Sequence, residues 1–314
     1  MALDAPQSRA QPAAPIDTSA LRIAQVGYGE VGSIFTANLE KAGVRSVAAY
    51  DIKSRDAAWM KEARERASRD GVVLATSLGE ALANADLVIC AVTAASAKAA
   101  MSAIAQACPP NAFVLDVNSA SPETKKSCAA LINGAGGRHV EAAVMGAVPP
   151  YGLKVPTLLG GPHAANALPM LAALGFAMEV GSPDYGVVSA IKLCRSVVMK
   201  GIEALAVESL LAARRYGVEE QVIASLVESY PGMQWDTQAD YYWRRVFQHG
   251  QRRAEEMREA AATVREAGLA PDMAAATAEV QARIAKLRAQ GAFDGLPKDA
   301  PWQSLADRIA KDVS

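Results

Sequence analysis

The sequence predicts an α/β chain: a doubly wound, mostly parallel sheet in its first half, then an all-α domain begun by one long helix. Three observations carry this. Short apolar runs alternate with helical patterns from residue 21 to about residue 180. A glycine-rich turn, Gly27-Tyr-Gly-Glu-Val-Gly32, joins the first apolar run directly to the first helical pattern. Beyond Val180 no convincing strand pattern remains, and the apolar spacing turns helical.

The elements are expected in this order. Residues 1–20, rich in Pro, Ala, Ser and Gln, read as a flexible tail without the apolar run of a signal peptide. Leu21–Val26 is a short strand, and Ser33–Lys41 a helix stopped by Ala42-Gly43. Ser46–Asp51 and Val72–Ala75 are strands on either side of a charged helix at Ala57–Arg69. After a short helix at Leu78–Ala83, Asp86–Val92 is continuously apolar, as expected of a strand buried on both faces. A helix at Ala95–Ala107, a buried strand at Ala112–Val117 and a helix at Pro122–Asn133 follow. His139–Val144, Thr157–Leu159 and Phe176–Val180 complete the strands, with a helix at Ala164–Leu174. Val187–Tyr216 is one long helical pattern, spanning roughly 45 Å at 1.5 Å per residue. Further helices are expected at Glu219–Ser229, Asp236–Ala267, Asp272–Ala289 and Ser304–Lys311. The domain boundary falls in Gly181–Gly186, dividing residues 21–183 from 184–314.

Composition fits a globular chain with a sizeable core: 51% of the 314 residues are hydrophobic and 21% charged. Lys+Arg 32 against Asp+Glu 33 leaves a net charge of -1, which points to neither nucleic acid nor an anionic membrane surface as partner. No run of about 18 apolar residues occurs, so no membrane span is expected. Cys90, Cys108, Cys128 and Cys194 match no zinc spacing; they read as buried thiols in a reducing cytoplasm, and no metal is expected.

The glycine turn carries the chemistry. Gly27 permits the tight turn, Gly29 lets the backbone approach a pyrophosphate, and Gly32 lets the helix pack close to its strand. The N–H groups of Tyr28, Glu30 and Val31 belong to the same anion-facing segment. An acidic residue, Asp51, ends the next strand 22 positions after Gly29. That context makes the motif a dinucleotide-binding one. Asp51 is expected to accept hydrogen bonds from the adenosine ribose. A 2′-phosphate beside it would be repelled, by about 4 kcal/mol at ~4 Å in a surface-like dielectric. This favours NAD, with NADP as the alternative because Lys53 and Arg55 lie just beyond.

With these residues in view, the chain resembles the β-hydroxyacid dehydrogenases, relatives of 6-phosphogluconate dehydrogenase. The resemblance spans about residues 21–290 and rests on four segments: Val26–Gly43, Asp116–Lys126 (DVNSASPETKK), Glu141–Ala147 (EAAVMGA) with Thr157–Gly161, and Gly186–Ser196 (GVVSAIKLCRS). It implies a Rossmann-type sheet followed by a helical domain for substrate and dimerisation. It also implies an NAD(P)-dependent oxidoreductase, working as a homodimer on a small molecule bound between domains and subunits. By position Lys192 matches the family's catalytic acid/base. A free lysine near pKa 10.4 is a poor base at neutral pH, so its site must lower that value; burial and Arg195 are the expected causes. Val92, Thr93 and Asn118 are placed along the cofactor, and Ser119 and Ser196 at the substrate.

The departures also matter. Ser196 stands where the family has an asparagine, and Met145, Gly146 and Ala147 replace a serine and two glycines in the substrate loop. The implied substrate is bulkier or less polar than a small 3-hydroxy acid. The family's second lysine has no counterpart in Phe247–Met257; His249, Arg252 and Arg253 are the cationic substitutes, against the plainer reading of Arg252 and Arg253 as solvated partners of Glu255 and Glu256. His139 and His163 read as a strand edge and a helix start. The aromatics gathered between Tyr230 and Phe247 suit an interface or a pocket. Two alternatives stay open: an imine reductase, against which Lys192 counts, and a dinucleotide-binding regulator without turnover.

Overall fold

The computed structural model describes residues 16–297 and 299–312. Most of the tail expected over residues 1–20 therefore lies outside the described residues. Its last part, Thr18–Ala20, forms a 3-10 turn capped by the Asp17 carboxylate.

The alternation of the sequence is realised element by element. In chain order these are β1 (Arg22–Val26), α1 (Glu30–Lys41), β2 (Ser46–Tyr50), α2 (Ala57–Arg69), β3 (Val73–Leu74), α3 (Leu78–Leu82), β4 (Leu87–Cys90) and α4 (Ala97–Ala107). Then come β5 (Phe113–Asp116), α5 (Pro122–Gly134), β6 (Arg138–Val144), β7 (Thr157–Gly160), α6 (Ala164–Ala173) and β8 (Met178–Ser182). The helices α7 (Val187–Tyr216), α8 (Glu219–Ser229), α9 (Trp235–Glu266), α10 (Asp272–Ala289) and α11 (Trp302–Asp312) follow.

The strands form one sheet in the order β3-β2-β1-β4-β5-β6-β7-β8. All pairs are parallel except β6 with β7, which run antiparallel. The order reverses beside β1 and β4, where a doubly wound sheet opens a crevice at its strand ends. Strands β4 and β5 are buried along their whole length, which explains their unbroken apolar sequences. Apolar cores lie on both sides, one around Phe35, Leu39 and Leu115 and another around Met101, Ile104 and Ile132.

Several boundaries differ by a few residues: β4 is shorter at both ends, α4 starts two residues later than expected and α11 two residues earlier. Helix α1 begins at Glu30, three residues earlier than expected, because Gly29 itself is the N-cap and the helix starts at the motif's second glycine. Strand β8 sits two residues later than expected, at Met178–Ser182. Among the described residues no helix is long and apolar enough to cross a membrane.

In the helical half, α9 and α10 pack so closely that a Cβ at Gly250 would come within 2.8 Å of the Gln281 carbonyl oxygen. The aromatic segment builds this core. Trp243 stacks obliquely on Trp302 at 5.8 Å, and Phe247 meets Phe293 edge-on at 5.0 Å. Tyr230 and Tyr241 remain exposed. The cysteine expectation is corrected at two positions: Cys90 and Cys128 are buried, but Cys108 is only half-buried and Cys194 is exposed on α7.

Candidate active site

The glycine turn is shaped by contact. Gly27 has φ +87°, and a Cβ there would lie 2.3 Å from the Ala91 carbonyl oxygen. A Cβ at Gly32 would lie 2.0 Å from the Gly27 oxygen, so only hydrogen fits where α1 crosses the turn. Gly29 differs: a Cβ built there meets nothing within 4 Å. Its face is open, at the start of a helix whose N-cap residue has no side chain to bond the free N–H groups. An anion is the natural partner of such an end. These residues therefore fit a dinucleotide pyrophosphate over Gly29, Glu30 and Val31.

Tyr28 enters this account only through its backbone. Its ring is fully buried, under the Arg66 guanidinium, so its side chain does not face the turn's open side. Its N–H donates to Asp51 Oδ2 at 2.8 Å, and the Lys53 N–H donates to Asp51 Oδ1 at 2.9 Å. Asp51 is thus fixed just past the end of β2, beside the glycine turn.

Asn118 corrects the sequence expectation. It is 3% exposed, and its amide is turned inward. Its Oδ1 accepts the Val92 N–H at 2.7 Å, and its Nδ2 donates to Asp116 Oδ1 at 2.8 Å. It ties the ends of β4 and β5 together instead of presenting an amide to the cofactor. Behind it stands a buried ion pair that the sequence reading missed. Lys125 Nζ lies 2.9 Å from Asp116 Oδ1, with side-chain exposures of 1% and 0%. Burial alone would favour the neutral acid, but Lys125 and then His139 hold the Asp116 carboxyl well below its ordinary range. His139 is accordingly no strand edge; it is fully buried, 3.4 Å from Asp116 Oδ2.

Across the seam between sheet and helices, Lys192 on α7 reaches the loop after β5. Its Nζ donates to Ser119 Oγ at 2.6 Å. The N-terminus of α7 is held by Glu141 of β6, whose carboxylate accepts the Gly186 N–H at 2.7 Å and the Ser189 N–H at 2.8 Å. The Lys192 ammonium is pushed down to about 8. Burial is the main cause; Glu256 opposes it, while Lys200, Lys125 and Arg252 add to it. Arg195, the expected cause, is exposed and takes no part.

One turn further along α7, the Ser196 hydroxyl accepts from Lys200 Nζ at 3.2 Å. Lys200 in turn pairs with Glu256 of α9 at 2.9 Å. Burial works against the Glu256 charge, but Lys200, Arg252 and Lys192 hold its carboxyl down to about 2. The two arginines of the cationic stretch separate. Arg253 is 3% exposed and paired with the buried Glu203 of α7, whereas Arg252 is half exposed and 3.8 Å from Glu256.

A cavity of about 590 Å³ opens between the halves, its walls including Glu30, Thr93, Phe247, His249, Arg252 and Arg288. It gathers the glycine turn, the end of β4 and α9. His249 is therefore placed beside the cofactor-binding turns. Met145, half-buried, continues β6 with its N–H on the Pro156 carbonyl at 2.8 Å. Gly146 and Ala147 beside it are exposed. A Cβ at Gly146 would only touch Val155 at 3.5 Å, so this loop has no steric need for glycine.

Residues 22–179, half of the chain, match the family model described as the NAD binding domain of 6-phosphogluconate dehydrogenase. The chain belongs to this family. Residues 213–284 match a second model, a domain of unknown function (DUF1932). The chain is 37% identical to a conserved hypothetical protein from Sinorhizobium meliloti 1021, covering 93% of this chain and 96% of that one with TM-score 0.70. It is 31% identical to a conserved protein of unknown function reported as structurally similar to 3-hydroxyacid dehydrogenases, covering 86% and 99% with TM-score 0.64. A Mycobacterium tuberculosis 3-hydroxyisobutyrate dehydrogenase, solved with L-serine, shares the fold at 20% identity and TM-score 0.65, covering 92% and 99%. The family is one of NAD(P)-dependent dehydrogenases and reductases, and NAD(P) is its cofactor.

Proposed function

We propose an oxidoreductase acting on a CH–OH group or its carbonyl, with Lys192 as general acid/base. The cofactor, when bound, supplies hydride transfer at its nicotinamide; the proton is the protein's task. The observation that carries the reading is the Lys192–Ser119 contact at 2.6 Å, between α7 and a loop of the nucleotide-binding sheet. With its pKa at about 8, roughly one Lys192 in ten is a neutral amine at pH 7. In oxidation that amine takes the hydroxyl proton; in reduction the ammonium gives a proton to the carbonyl oxygen. Ser119 Oγ holds the Nζ in place, and Asn118 holds the chain that carries Ser119.

NAD is proposed over NADP because Asp51, held by the Tyr28 and Lys53 N–H groups, would repel a 2′-phosphate in the ribose-binding role expected for it. The substrate is proposed to be bulkier or less polar than a small 3-hydroxy acid. Two features support this: Met145 stands in the substrate loop, and the Ser196 hydroxyl is engaged by Lys200. A homodimer is inferred from the resemblance and from the apolar stripe of Ile191, Val198, Met199 and Leu205 that α7 leaves exposed. Light scattering that finds a monomer contradicts it.

The test is absorbance screening of NADH formation or loss against aliphatic and aromatic hydroxy compounds, ketones and cyclic imines. Turnover of a hydroxy compound or ketone supports the proposal. Efficient turnover of 3-hydroxyisobutyrate refutes the substrate class, and turnover of imines alone refutes the reaction.

A further inference from the structure

We propose that Glu259 of α9 is a positioning residue for the Lys192–Ser119 couple. Its carboxylate fixes the loop between β5 and α5 against the helical half, so that Ser119 Oγ meets the lysine. In its functional meaning the proposal rests on Lys192 being the acid/base; its geometry does not.

Ser119 and Ser121 lie two residues apart on one short loop, and each bonds to a different helix of the other half. Lys192 Nζ donates to Ser119 Oγ at 2.6 Å, and the Ser121 N–H donates to Glu259 Oε2 at 2.7 Å. The start of the loop is tied into the sheet, where the Asn118 N–H donates to Asp116 Oδ1 at 3.0 Å. Ser119 is therefore suspended between an anchor in the sheet and an anchor on α9.

The Glu259 bond is not needed to cap α5. Ser121 is itself the N-cap, and its hydroxyl accepts the Thr124 N–H at 3.4 Å. Glu259 takes the N–H of the N-cap residue, outside the helix. Its half-buried carboxyl is pushed up by burial and by Glu266, yet it sits against a backbone donor. The same helix grips α5 a second time, Glu266 Oε2 accepting the Glu123 N–H at 3.2 Å. The charged groups facing Lys192 are Glu256 and Arg252 from α9, Lys200 from α7 and Lys125 from α5.

Without the Glu259 anchor, Ser119 is free to leave Lys192. The ammonium then loses its acceptor in a desolvated place, and its ionisation midpoint falls, by roughly 0.7 pH unit for one hydrogen bond. Competitive acetylation of the full-length protein between about pH 6 and 11, with the Lys192 peptide read by mass spectrometry, measures that midpoint directly. Glu259→Gln keeps an acceptor and removes the charge; Glu259→Leu removes both.

The expected result is a midpoint in Glu259→Leu lowered as in Ser119→Ala, a midpoint in Glu259→Gln near that of the unaltered protein, and no added shift in Ser119→Ala/Glu259→Leu. Wild-type behaviour of Glu259→Leu, or a shift that adds in full to that of Ser119→Ala, overturns the proposal. Should Glu259→Leu fail to fold, Ser121→Pro deletes the donor instead; the Ser121 φ of -64° already suits proline. Ser121→Ala, which keeps the N–H, is its control. A shift in the proline variant alone supports the anchor, and equal midpoints overturn it. Turnover that survives Lys192→Ala removes the acid/base reading while leaving the labelling result standing.

Discussion

Lys192 on the long helix α7 and Ser119 on the loop after β5 meet at 2.6 Å, joining the two halves of the chain at the candidate reaction centre. Each is held by buried charge: Glu141 of β6 fixes the start of α7, and Asp116 of β5, paired with Lys125 of α5, fixes the start of the loop.

The glycine turn separates folding from binding. Gly32→Ala would place a Cβ 2.0 Å from the Gly27 oxygen, so thermal unfolding should show a clear loss of stability, on the order of 1–3 kcal/mol. Gly29→Ala meets no atom within 4 Å, so its melting temperature should hold. Its NADH affinity, followed by fluorescence, should drop at least about tenfold, because the methyl fills the face left for the pyrophosphate.

The two arginines of α9 should behave oppositely. Arg253→Ala leaves Glu203 as an unpaired buried carboxylate, and denaturant titration should show a cost of about 3–5 kcal/mol. Arg252→Ala, at an exposed wall of the cavity, should leave stability within about 0.5 kcal/mol and weaken ligand binding instead.

Glu141→Ala removes the acceptor for two N–H groups at the start of α7. Chemical denaturation should register about 2 kcal/mol or more, since both a cap and buried bonds are lost. Glu141→Gln keeps one acceptor and should lie between the two.

Acid should weaken the fold through Glu256. Its carboxyl is held at about 2 in the folded chain against about 4.3 when unfolded, so the unfolded state binds more protons between those values. That stabilisation is fully present above about pH 4.5 and is lost as pH falls toward 2. Glu256→Gln should flatten this part of the stability–pH curve; an unchanged slope contradicts the assignment.

Much of this is legible in the sequence. The alternation of apolar runs and the strand–glycine–helix junction specify the sheet, because period and turn chemistry are local properties. Lys192 and Ser119 are singled out through the resemblance, and the structure brings them to 2.6 Å of each other. The supporting charges were not legible. Lys125 and Glu259 sit in ordinary amphipathic helical patterns, where the spacing of a lysine or glutamate does not reveal a partner many residues away. Asn118 was misread for the same reason: its residue type marks a polar contact, while the strand ends decide that the contact is internal. Only Asp116, a charge ending an apolar strand, gave a signal that could have been used.

The most direct test of the central claim is the turnover of Lys192→Met on a substrate found by the NADH screen, measured beside NADH affinity across pH. Lys192→Met should lose at least about 100-fold in turnover with NADH binding unchanged. In the unaltered protein the oxidation rate should rise to a plateau above pH about 8, and the reduction rate should fall there. Turnover unchanged in Lys192→Met, with the same pH profile, would contradict that claim.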